Sequence, residues 1–214
     1  DNVDLHRLGH ACPDDLKEAI DFAVARIAAY HERQRPEDHQ FTDDAGVQLG
    51  WRWTSLDSVG VYVPGGLASY PSSVLMNAVP AKIAGVDRVV MVAPGPRGQL
   101  APAVAYAALK AGVDEYYPVG GAQAVAALAF GAGRLKPVDK IVGPGNAYVA
   151  EAKRQVFGKV GIDKTPIAVI TKWLVSSRPS SKPKTQLSVS SSKVMVLTRQ
   201  PNCICSRKSN LSVT

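Results

Sequence analysis

Leu16, Ile20, Ala23, Ile27 and Tyr30 recur at three- and four-residue steps, with Asp15 and Glu18 in the first turn. That spacing predicts a surface helix over residues 14–34. Residues 35–47 are polar, carry Pro36, Asp43, Asp44 and Gly46, and read as loop. Leu49 to Trp53 then alternate as a short half-buried strand does. From Val59 the pattern changes. Short apolar runs at 59–63, 88–93, 115–119 and 140–142 each end in a Gly/Pro turn, and helical stretches follow at 72–84, 101–111, 122–130 and 147–157.

Strand starts at 59, 88, 115 and 140 lie 29, 27 and 25 residues apart, the spacing of consecutive βαβ crossovers in a parallel sheet. Val89-Val90-Met91-Val92 is apolar on both faces, as a sheet covered by helices on both sides requires. In such a sheet the turns after the strands gather at one edge. Here they are Pro64-Gly65-Gly66, Pro94-Gly95-Pro96, Gly120-Gly121 and Gly143-Pro144-Gly145. Three of them lead towards a helix start, where free N–H groups and the positive dipole end favour phosphate. A phosphate-bearing ligand at this edge is one reading; Gly and Pro that serve only to turn the chain tightly are the other.

Composition divides the chain at one point. Of its 214 residues, 1–163 hold 16 Lys and Arg against all 18 Asp and Glu, a net −2, whereas 164–214 hold nine Lys and Arg and no acid, a net +9. All 18 glycines and all four histidines also precede residue 164, and 11 serines follow it. Three regions result: an N-terminal helix and short strand at 1–58, the sheet region at 59–163, and a basic Ser-rich tail at 164–214 that reads as disordered. No run of 18 apolar residues and no cleavable leader pattern occurs, so neither a membrane span nor a secretory signal is expected. Cys12, Cys203 and Cys205 are too few and too badly spread for a disulfide framework, which fits a reducing cytoplasm.

Candidate chemistry sits at the glycine turns. Gly143-Pro144-Gly145-Asn146-Ala147-Tyr148, with Asp163 twenty residues on, approaches the dinucleotide fingerprint but has Tyr148 in place of the third glycine. No Walker A sequence is present. Tyr62, Gln123 and Asn146 each lie beside a glycine turn and can hydrogen-bond an adenine, ribose or amide without charge. Tyr62 also fits a core aromatic, and Asn146 a helix N-cap. His6 and His10 are spaced i, i+4, but no third ligand accompanies them, so no metal site is expected. No histidine follows His39, and the sheet region therefore has no imidazole base of its own.

Four stretches resemble bacterial histidinol dehydrogenase: Val-Gly-Val-Tyr-Val-Pro-Gly-Gly at 59–66, Tyr-Pro-Ser-Ser-Val-Leu-Met-Asn-Ala at 70–78, Val-Gly-Gly-Ala-Gln-Ala-Val-Ala-Ala-Leu-Ala-Phe-Gly at 119–131 and Val-Asp-Lys-Ile-Val-Gly-Pro-Gly-Asn-Ala-Tyr-Val at 138–149. Glu151-Ala152-Lys153-Arg154 continues the likeness, and it extends upstream through the helix at 14–34 and Gly50-Trp51-Arg52-Trp53. The resemblance implies an α/β fold, a Rossmann-like parallel sheet with helices on both faces preceded by an N-terminal helix. It also implies NAD-dependent oxidation of L-histidinol to L-histidine through the aldehyde, with zinc, in a cytoplasmic homodimer. It places Tyr62, Gln123 and Asn146 at the family's NAD-contacting positions.

After Gly161-Ile162-Asp163 the family's pattern is lost. The Gly-Pro-Ser-Glu stretch, the zinc-holding Gln and His, and the proton-handling Glu-His pair have no counterpart in 164–214. The resemblance thus implies a chain with the cofactor half only, catalytically silent alone, its tail a shifted frame or foreign junction. The alternative is a non-catalytic NAD-domain protein with a basic tail. Nucleic-acid binding by that tail is not expected, because its charges are scattered and Trp173 has no aromatic companions there. A dehydrogenase using a cysteine nucleophile would have to rely on Cys12, ahead of the helix at 14–34, which is poorly placed.

Overall fold

The computed structural model describes residues 2–65, 69–95 and 100–163. Everything expected of 164–214, including Trp173, Cys203 and Cys205, lies outside the described residues, as do Gly66 and Pro96 of the strand-end turns. In chain order the elements are α1 (Asn2–His10), α2 (Asp14–Glu32), β1 (His39–Thr42), β2 (Gln48–Trp51), β3 (Ser58–Tyr62), α3 (Pro71–Ile83), β4 (Arg88–Val92), α4 (Pro102–Lys110), β5 (Glu115–Tyr117), α5 (Gly121–Phe130), β6 (Lys140–Val142), α6 (Ala147–Gln155) and β7 (Gly161–Ile162).

Five of these strands form one sheet in the order β5-β4-β3-β6-β7, and every neighbouring pair is parallel. Val59 stands opposite Val89 on one side and Lys140 on the other, and Gly60 opposite Val90 and Ile141. The chain builds outwards from β3 through β4 to β5, then returns to lay β6 along the free edge of β3 and continues to β7. The gap between the ends of β3 and β6 is thus the point where the strand order reverses, the place at which open α/β sheets take ligands.

Side chains of the central strands alternate between two cores. Val59, Val61, Val89 and Met91 join a cluster with Leu5, Ile20, Val74, Leu75 and Val104, so helices α1 to α4 cover that face. Tyr62, Val90, Val92 and Ile141 join Ala124, Val125, Leu128 and Val149, where α5 and α6 cover the other. Both faces being dry explains the unbroken valine runs. Gly60 lets α5 close onto β3, since a Cβ there would lie 2.8 Å from Leu128 Cδ2.

The α/β architecture, the parallel sheet and the preceding helix agree with the sequence pattern, with element ends trimmed by one or two residues. Two local expectations need correction. Residues 35–47 are not all loop, because His39–Thr42 forms β1 and pairs antiparallel with β2. All four β1 residues are exposed, so no alternation of burial marked the strand. The helix at α2 is also preceded by another, α1, which packs on α4 through Leu5 and Leu8.

Candidate functional site

Tyr62 ends β3 with its ring buried in the α5–α6 core and its hydroxyl reaching the first turn of α5. The Gly121 N–H donates to Tyr62 Oη at 3.0 Å, so one of the unpaired N–H groups at that helix start finds its acceptor in a strand five elements earlier. Gln123 lies in the same first turn and is exposed. Gly120 backs onto the turn after β4, where a Cβ would stand 2.6 Å from the Pro94 ring.

The turn after β6 forms the opposite wall. Gly143 has φ +111°, a conformation open to glycine, and a Cβ there would run into the Tyr62 carbonyl oxygen. The two strand ends therefore meet backbone to backbone. Asn146 precedes α6 as its N-cap, its Oδ1 accepting from the Val149 N–H at 3.1 Å. Its oxygen thus serves its own helix, while Tyr62 fills the core with its ring and accepts the Gly121 N–H with its hydroxyl. Tyr62, Gln123 and Asn146 all lie at the same edge of the sheet, on three different elements.

Two further residues complete this wall. Lys153 of α6 is fully buried and donates to the Gly143 carbonyl at 2.6 Å and to Asp163 Oδ1 at 2.5 Å. Asp163 follows β7 and accepts the Gly143 N–H on Oδ2 at 2.8 Å. Spacing from Gly143 singled out Asp163; it gave no hint of Lys153. The available signal was a lysine on an apolar helix stripe, since Val149, Lys153 and Val156 are all buried. Nearby, burial pushes the Lys140 ammonium below its ordinary range, partly offset by the Asp163 charge.

The remaining candidates lie elsewhere. His6 and His10 sit on α1, and among the described residues no three His, Cys, Asp or Glu side chains are grouped to hold a metal. Cys12 is buried, and burial raises its thiol pKa, the opposite of what a nucleophile needs. Among the described residues no helix is long and apolar enough to cross a membrane.

The histidinol dehydrogenase family model matches residues 2–181, running past the change of composition at Asp163. Histidinol dehydrogenase of Caulobacter vibrioides is 69% identical over 151 residues, covering 71% of this chain and 35% of that protein. Histidinol dehydrogenase 1 of a Nostoc species is 64% identical over 152 residues, again covering 71% and 35%. The crystal structure of histidinol dehydrogenase from Elizabethkingia anophelis superposes with a TM-score of 0.74 at 32% identity, covering 77% of this chain and 39% of that one. The chain thus spans about a third of the length of the curated relatives it matches.

Proposed function

The chain belongs to the histidinol dehydrogenase family, and we propose that it holds the NAD for that family's oxidation of L-histidinol to L-histidine, with Tyr62, Gln123 and Asn146 as the binding side chains. The observation that carries this is the reversal of strand order between β3 and β6, with the glycine turns and the starts of α5 and α6 gathered at that point. Two helix N-termini at one crevice suit a pyrophosphate, and the close backbone approach at Gly143 suits a flat group laid across the strand ends. The residues present therefore fit a dinucleotide.

When bound, NAD supplies the hydride acceptor. This chain's own part is to bind and orient. The Tyr62 hydroxyl, having accepted from Gly121, retains its proton to donate. Asn146 retains its side-chain NH2, and Gln123 both amide groups. The buried walls on either side of the sheet keep water from beneath the crevice. The described residues do not fit zinc, since no three His, Cys, Asp or Glu side chains among them are grouped to hold it. We place the whole enzyme in the cytoplasm as a homodimer acting on L-histidinol.

Calorimetric titration of the purified chain with NAD tests the reading. Saturable binding is expected with Kd between about 1 μM and 1 mM, the span of ordinary enzyme–substrate affinities. Heats no different from dilution up to several times that upper bound would overturn it. L-histidinol added to the NAD-saturated chain is expected to give no NADH absorbance at 340 nm, because the described sheet region holds no imidazole to take the alcohol proton.

A further inference from the structure

We propose that Lys153 and Asp163 are positioning residues: together they clamp both backbone groups of Gly143 and so fix the turn that carries Asn146 and the start of α6. The proposal rests on the NAD reading for its functional consequence. Its ground is a closed ring of three contacts. The Gly143 N–H donates to Asp163 Oδ2, Lys153 Nζ donates to Asp163 Oδ1, and Lys153 Nζ donates to the Gly143 carbonyl, at 2.8, 2.5 and 2.6 Å.

Four considerations make the ring more than ordinary packing. A fully buried ammonium is costly, and proteins tolerate one only where a counter-charge and hydrogen bonds satisfy it. Lys153 faces a single carboxylate and a single carbonyl: the carbonyl is that of Gly143, and the carboxylate, from Asp163 beyond β7, accepts the Gly143 N–H. Second, the ring closes on a residue at φ +111° whose backbone already abuts the Tyr62 carbonyl, so any relaxation of the turn moves one wall of the crevice relative to the other. Third, Lys153 sits on α6, and its bond to Gly143 ties the helix to the turn that precedes it. The N-terminus of α6 is thereby aimed from within. Fourth, a dinucleotide fingerprint puts its acidic residue on the ribose hydroxyls, whereas both oxygens of Asp163 are engaged inside the protein. The carboxylate at the fingerprint spacing is thus engaged on both oxygens in holding the turn.

The test compares the native chain with Lys153→Met and with the double substitution Lys153→Met/Asp163→Asn. Methionine keeps the unbranched apolar stem of lysine and removes the ammonium. The double substitution leaves no unpaired charge, so it is expected to be the less destabilised of the two. In whichever variants keep the native far-UV circular dichroism and a cooperative melt, NAD affinity is expected to fall by about tenfold or more, the scale on which misplaced contact groups act. The Gly143 amide is expected to exchange faster, because its acceptor at 163 is no longer held in place by Lys153.

A purely structural pair would lower the melting temperature and leave the NAD affinity of the folded protein within about twofold of native, since the ligand-contacting groups would be unmoved. That result overturns the proposal. If the native chain itself binds no NAD, the functional reading fails instead. The clamp is then judged on the Gly143 amide alone: faster exchange in the folded variants upholds it, and unchanged exchange overturns it.

Discussion

The hydroxyl of Tyr62 accepts the backbone N–H of Gly121, joining the end of β3 to the start of α5 across 59 residues of sequence. Tyr62→Phe keeps the ring in its core and removes only this acceptor. The stranded N–H is expected to cost about 1 kcal/mol, the size of a typical net hydrogen bond. Urea unfolding of the two proteins measures it directly, and coincident midpoints would show that water replaces the hydroxyl at no cost.

Gly143→Ala imposes a side chain where both the backbone angle and the neighbouring Tyr62 carbonyl forbid one. Backbone strain alone contributes about 1–3 kcal/mol, and the clash adds to it. A fall in melting temperature of several degrees is expected in differential scanning calorimetry. An unchanged melt would mean that the turn can shift away from β3.

Leu128 is fully buried between α5 and the sheet and is the side chain that meets Gly60. Leu128→Ala is expected to destabilise by about 2–5 kcal/mol, because the backbone of a parallel sheet cannot collapse into the space left behind. Urea midpoints again give the value, and a loss below the bottom of that range would indicate that α5 settles onto Gly60.

Arg88 donates to Glu115 at 2.5 Å and holds its carboxyl below the ordinary 4.5. Since the ionised form is favoured by folding, the contribution is complete above that ordinary value and disappears as pH falls through the lowered one. The side chains are 22% and 33% exposed, so solvent screening keeps it under about 1 kcal/mol. Between about pH 5 and pH 3, Glu115→Gln is expected to lose less stability than the native chain. Equal losses would mean that the pair contributes nothing.

How far the sequence foretold all this differs by element. Val89 to Val92 announced a covered strand because both of its faces are dry, and the turn glycines announced the edge because strand ends in a parallel sheet must align. Strand order was not legible. Spacing of 25 to 29 residues fits a crossover to either side of β3, and the choice is made by which face α5 covers, through contacts such as Leu128 on Gly60. β1 escaped notice because His39, Gln40, Phe41 and Thr42 are all exposed and pair only with β2. Asn146 was legible as a cap from its type and place. Lys153 was hidden by the ordinary expectation that lysine faces water.

The strand order also dictates when the sheet can close. Ser58 at the start of β3 is locked to Asp139, just before β6, by hydrogen bonds spanning 81 residues. β4 arrives soon after β3 as the chain emerges from the ribosome and covers one edge. The other edge, belonging to the most deeply buried strand among the described residues, has no partner until β6 has been made. For that interval the growing chain carries an open row of backbone donors and acceptors flanked by valines, a template for pairing with other chains. The element that becomes the centre of the sheet is thus the one a nascent chain must shield longest.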